Sequence, residues 1–154
     1  MAETRGTATT RTDSLMHIER EIGVLIRRVR RVIGERARAV HPDLQPASYL
    51  VLSWLVEEGP VRASQVVDHF GIDKGAVSRQ VQHLAELGLV DRVPDPEDGR
   101  ASLVSASADA VRRLADVTAM RRVWLDERLS DWSTAELDHL ADELGRYNRA
   151  LNEQ

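Results

Sequence analysis

The chain has no cysteine among its 154 residues. Disulfides, thiol redox sensing, thiolate metal sites and cysteine nucleophiles are therefore excluded. Lysine is nearly absent, since 20 of the 21 basic residues are arginine and the single lysine is Lys74. No apolar run approaches the roughly 18 residues of a membrane span. The opening stretch MAETRGTATTRT has no apolar core of a secretory signal, so a cytoplasmic protein without a membrane partner is expected. The five histidines, His17, His41, His69, His83 and His139, show no metal-ligand spacing. No nucleophile elbow, phosphate-binding loop or dinucleotide-binding glycine pattern occurs. Neither an enzyme nor a metal or cofactor is expected.

What is present is the composition of a globular protein, 42% hydrophobic and 30% charged. The length suits one domain, or a small domain with an added oligomerisation element. The formal net charge of −4 argues mildly against nucleic-acid binding, but it is unevenly spread. Residues 1–40 carry +4, residues 41–105 carry −5 and residues 106–154 carry −3. Placement on individual helices therefore decides more than the total.

Hydrophobic periodicity divides the chain. Residues 1–12 read as a small, polar, disordered tail. From Asp13 to Val40, apolar residues recur in steps of three and four, the mark of one long helix. The segment HPDLQP stops it, because the residue before a proline disfavours helical backbone. Pro46 then opens a second helix running to Glu58, ended by Gly59 and Pro60. ASQVVDHF is a short third helix closed by Gly71, and the stretch DKGAVSRQVQHLAEL forms a fourth closed by Gly88. LVDRVPDPEDGRASLVS alternates around a turn and reads as a hairpin. A fifth helix follows Ser107. A capping box, Ser133 with Glu136, opens a last helix with Leu137, Leu140, Ala141, Leu144 and Tyr147 facing inward.

The fourth helix carries the chemistry. At 100° per residue, Val77, Val81, Leu84 and Leu87 share its apolar side. Opposite lie Gly75, Ser78, Arg79, Gln82 and, toward the edge, His83, with Glu86 the one acid near the far end. Arginine pairs with guanine, glutamine with adenine and serine with either. A short helix and the tight link GIDK precede it, giving a helix-turn-helix whose second helix enters a major groove. Gly75, without a Cβ, lets the backbone approach a phosphate or base closely. A solvated helix face is the plain alternative for this helix alone.

The hairpin shifts that balance. Its tip ends on Arg100 and carries three acids, Asp95, Glu97 and Asp98, which would repel DNA unless one has another task. Asp98, two residues before Arg100, is placed to orient the guanidinium by a bidentate pair. An arginine so fixed suits a narrow, A·T-rich minor groove. The alternative is a polar surface turn whose local ion pair matters little to stability.

From Pro46 to about Ala110 the sequence resembles the multiple-antibiotic-resistance regulator (MarR) family of winged-helix transcription factors. Lys74, Val77, Ser78, Arg79, Leu84, Gly88, Leu89, Val90, Arg92, Asp98 and Arg100 match the family pattern position by position. Two departures stand out. Ala106-Ser107-Ala108-Asp109-Ala110 replaces the usual Leu-Thr-x-x-Gly after the wing, where Ser107 still suits a helix cap. Gly75 and Ala76 stand where many members have Ser and Thr, removing two hydroxyl contacts.

The expectation is a mainly α fold, a winged helix-turn-helix over residues 46–105 with dimerisation helices at residues 13–40 and 106–150. The resemblance implies a homodimer on double-stranded DNA, at a pseudo-palindromic operator whose half-sites lie about 34 Å apart. Ser78, Arg79 and Gln82 are expected to read bases, Lys74 and Arg92 to bind phosphate, and Arg100, steadied by Asp98, to enter the minor groove. His83 is assigned to the edge of the groove face or to phosphate. The resemblance further implies repression relieved by a small, often aromatic, anionic effector bound between the dimer helices and the winged module. Tyr49 and Trp54 are candidates for that pocket, although core positions suit each better. The rival reading is a winged-helix protein-interaction module that no longer binds DNA, which the −5 charge of residues 41–105 permits. A metal-sensing winged helix of the ArsR type is disfavoured by the absent cysteine and the scattered histidines.

Overall fold

A computed structural model describes residues 10–98 and 101–152. Along the chain run α1 (Arg11–Val40), α2 (Pro46–Glu58), β1 (Val61–Arg62), α3 (Ala63–Phe70), α4 (Lys74–Glu86), β2 (Val90–Pro94), β3 (Ser102–Ala106), α5 (Ala108–Arg128) and α6 (Thr134–Asn152). Among the described residues no helix is long and apolar enough to cross a membrane.

α1 begins two residues before the expected Asp13, so the end of the expected tail is already helical. The reason is a capping box. Thr10 Oγ1 accepts from the Asp13 N–H at 3.1 Å, and Asp13 Oδ2 accepts from the Thr10 N–H at 2.9 Å. The Thr10 hydroxyl, donating to the same Asp13 Oδ2 at 2.6 Å, and then the Thr10 N–H hold the Asp13 carboxyl below its ordinary range. α2 and α3 have the expected bounds. Pro46 occupies the first turn of α2, where no backbone donor is needed. Gly71 closes α3 in the left-handed region at φ 61°, where a side chain would be strained.

The small antiparallel sheet has the order β1-β3-β2. β1 pairs Val61 with Val104 and Arg62 with Leu103, and β2 pairs Val90 through Pro94 with Ala106 through Ser102. β2 is therefore an edge, which is where Pro94 is tolerated. The two-residue β1 did not show in the sequence, because two residues cannot display an alternation.

The chain divides into two compact units, residues 1–114 and residues 115–154, with α5 running through the boundary. The core of the first unit is assembled from Leu52 and Leu55 of α2, Val66 of α3, Val77, Val81 and Leu84 of α4, and Leu89, Val90 and Val104 around the sheet. Fully burying each such Leu or Val contributes about 1.5–3 kcal/mol. Ala37, Val40 and Leu44 bring the end of α1 and the following loop into the same core. Ser107 caps α5 as expected. Its Oγ accepts from the Ala110 N–H at 3.2 Å and donates to the Gly88 carbonyl at 3.0 Å, tying the start of α5 to the end of α4.

The second unit departs from expectation. The Ser133–Glu136 capping box forms, with the Glu136 carboxylate accepting from the Ser133 N–H at 2.8 Å. Of the five residues expected inward, Ala141 is exposed and Tyr147 half-buried, and Leu137, Leu140 and Leu144 do not face inward. They are 36–41% exposed, and α6 buries no residue at all. Among the described residues none buries this stripe. α1 shows the same feature, with Leu15, Ile18, Leu25, Ile26 and Val29 exposed on the described chain.

Candidate nucleic-acid interface

α4 owes its position to its two ends and its buried side. Asp73 is the N-cap, its Oδ1 accepting from the Ala76 N–H at 2.9 Å. The one acid at the start of the helix is thereby committed to backbone donors and the positive end of the helix dipole. Sequence reasoning passed over this cap, although an acid just before a helical run is its usual signal. Val77, Val81 and Leu84, each at most 3% exposed, fix the rotation of the helix against the core.

That rotation leaves Lys74, Gly75, Ser78, Arg79 and Gln82 exposed on the other side. Among the described residues no carboxylate pairs with Lys74, Arg79 or Arg92. A Cβ on Gly75 would lie 2.9 Å from Asp73 Oδ1 and 3.4 Å from an Arg79 guanidinium nitrogen. The missing side chain thus makes room for the cap and for Arg79 to lie along the helix surface.

Two expected site residues are otherwise engaged. Gln82 donates through Nε2 to Glu86 Oε1 at 3.0 Å, so its amide must release that acid before it can pair bidentately with adenine. His83 is half-buried, with Nε2 3.1 Å from the Asp43 carbonyl oxygen in the loop between α1 and α2. The same stretch is held from α5, where Arg113 donates to the Val40 carbonyl at 3.0 Å. Arg92 is exposed on β2, opposite Val104.

On the hairpin, Asp98 is exposed and is not without a partner. Arg100 lies outside the described residues, as does the expected geometry between the two. Asp95 has a defined structural task. It is 5% exposed, its Oδ2 accepts from Arg62 Nε at 2.5 Å, and its Oδ1 accepts from the Glu97 N–H at 2.8 Å. The Arg62 hydrogen bond, then that of the Glu97 N–H, hold the Asp95 carboxyl below its ordinary range. Arg62 was not singled out from the sequence, because its partner stands 33 residues away with no local pattern joining them.

Tyr49 is a core residue, and Trp54 stacks on His69 with ring centroids 4.6 Å apart while meeting Phe70 edge-on. In the second unit, a shallow groove is lined by Trp132, Glu136, His139, Leu140 and Glu143. Its two carboxylates disfavour an anion.

A family model described as the MarR family matches residues 43–101. The HTH-type transcriptional regulator YxaD of Bacillus subtilis is 32% identical over 134 residues, covering 87% of this chain and 92% of that protein. A probable transcriptional regulator from Pseudomonas aeruginosa superposes with a TM-score of 0.58 at 28% identity, over 82% of this chain and 96% of that one. Wild-type MarR of E. coli, in its apo form, superposes with a TM-score of 0.66 at 20% identity, over 84% and 95% of the two chains, a likeness of fold.

Proposed function

The chain belongs to the MarR family of transcriptional regulators, and from that premise we propose that it binds a pseudo-palindromic DNA operator as a homodimer and represses the adjoining promoter. The observation that carries this reading is the exposed, acid-free start of α4. Lys74, Ser78 and Arg79 stand there on a helix locked in rotation by its buried side and capped by Asp73.

In this reading Arg79 and Ser78 read base edges in the major groove, and Gln82 joins them once it leaves Glu86. Lys74 and Arg92 bind phosphate. Arg100, oriented by Asp98, enters the minor groove. His83 serves by holding α4 to the α1–α2 loop. The exposed apolar stripes of α1 and α6 support the dimer, because patches of this kind are rare on monomers. Relief of repression by a small aromatic anion is the finer part of the proposal. Such a ligand acts by its differential affinity for two arrangements of the dimer, and the contacts of His83 and Arg113 to the end of α1 and its loop offer a route from those helices to α4.

The test is recovery of duplexes from a random-sequence library by the full chain, followed by titration at several salt concentrations. Saturable binding to an inverted repeat, weakening steeply with salt, is the expected result. Failure to enrich any sequence, with uniform weak binding to all duplexes, would favour the protein-interaction reading.

A further inference from the structure

We propose that Arg62 and Asp95 form a latch that fixes the wing against the helix-turn-helix, making both of them positioning residues for DNA binding. The proposal rests on the DNA-binding reading above and adds two residues that the motif does not contain.

A carboxylate as buried as Asp95 is expensive unless fully satisfied. Its oxygens are taken by Arg62 Nε and the Glu97 N–H, and its own N–H donates to the Ala101 carbonyl at 3.0 Å across the base of the wing. Asp95 is thus built into the first turn of the wing. Arg62 is built into the other side. It ends β1 and is the N-cap of α3, and its N–H donates to Gln65 Oε1 at 2.8 Å. α3 in turn packs on α4. The ion pair therefore joins the two elements that carry the proposed major-groove and minor-groove contacts. At the β1 side the backbone link is short, since β1 pairs with β3 at two positions, and the ion pair adds to it there.

Arg62 has a second effect on the wing. Held on Asp95 foremost, its guanidinium places a positive charge beside the acidic turn of the wing, which offsets acids that would otherwise repel a phosphate backbone. The two effects separate cleanly at Asp95. Asp95→Asn removes a negative charge from the DNA-facing module, so charge alone makes binding tighter. Loss of the latch makes it weaker.

The measurement uses the full chain and a duplex recovered by the wild type from the random-sequence library. Asp95→Asn and Arg62→Gln are each expected to bind it roughly tenfold more weakly, as for loss of a charge-assisted hydrogen bond. The double variant should be no weaker than the worse single one. Amides of residues 90–98 and 101–106 should exchange faster in both variants while those of α4 keep their protection, a change that loss of general stability would not confine to the wing. Should Asp95→Asn fail to fold, Arg62→Gln decides, because it removes the charged partner of Asp95, and Arg62→Lys shows whether the charge alone suffices. Arg62→Lys is expected to bind between the wild type and Arg62→Gln. Wild-type affinity in a folded Arg62→Gln, or equal or tighter binding by a folded Asp95→Asn, would overturn the latch while leaving DNA binding intact. A wild type that recovers no duplex would instead overturn the reading on which the latch depends.

Discussion

α4 and α6 are both amphipathic, yet they place their apolar sides oppositely. In α4, Val77, Val81 and Leu84 are covered by α2, α3 and the sheet of the same chain. In α6, Leu137, Leu140 and Leu144 stay open and no residue is buried. The difference teaches what each helix is for. A helix whose apolar side is satisfied at home can present a rigid polar side to something else. A helix whose apolar side is unsatisfied gains its stability from association.

The sharpest way to break this contrast is to charge the open stripe. Leu140→Asp with Leu144→Asp should convert the dimer to a monomer in sedimentation. Operator affinity should fall by on the order of a hundredfold, because the second half-site no longer binds at high effective concentration. A monomeric wild type would remove the contrast altogether. On the covered side, Leu84→Ala should lower stability by about 2–5 kcal/mol, read by urea denaturation. The matching change on α6, Leu137→Ala, should act on the dissociation constant instead. Equal effects of the two on unfolding at fixed concentration would contradict the division of roles.

How far the residues announced this arrangement depends on the range of the interaction concerned. Local signals were legible. Pro46, Gly59 and Gly71 bound α2 and α3 at the expected residues, and Ser107 and Ser133 cap α5 and α6 as read. The start of α1 was missed because its capping box, Thr10 with Asp13, sits in a run of small polar residues that resembles a tail. The exposed side of α4 followed from periodicity alone. Its finer state did not, since Gln82 to Glu86 and His83 to Asp43 depend on rotamers and on a loop forty residues distant. The acids of the wing posed the right question, namely which one has another task. The expected Asp98–Arg100 pair lies outside the described residues, while a second acid, Asp95, is bound to the distant Arg62, which no local pattern announces.

Smaller effects sharpen the account of the wing. Arg100→Ala should leave melting nearly unchanged and reduce the slope of log K against log salt by about one unit. If Asp98 orients Arg100, Asp98→Ala should weaken binding even though it deletes an acid near DNA. Tighter binding would show the acid to be merely tolerated. The smallest effect concerns pH. Asp95 is held below its ordinary range when folded, so its stabilisation is present above about pH 4 and is lost as pH falls through the depressed folded value. Asp13 and Glu136 add to the same trend through their capping boxes. Thermal melting between pH 5 and 3, compared for wild type and Asp95→Asn, should show a shallower decline in the variant.

The central claim is that the open side of α4 reads DNA sequence, and Arg79→Ala tests it most directly. Binding of the variant and the wild type should be measured on the recovered operator and on duplexes altered one base pair at a time. A loss of about 1–3 kcal/mol on the operator and relaxed preference at one position in each half-site are expected. Unchanged affinity together with unchanged preference at every position would contradict it.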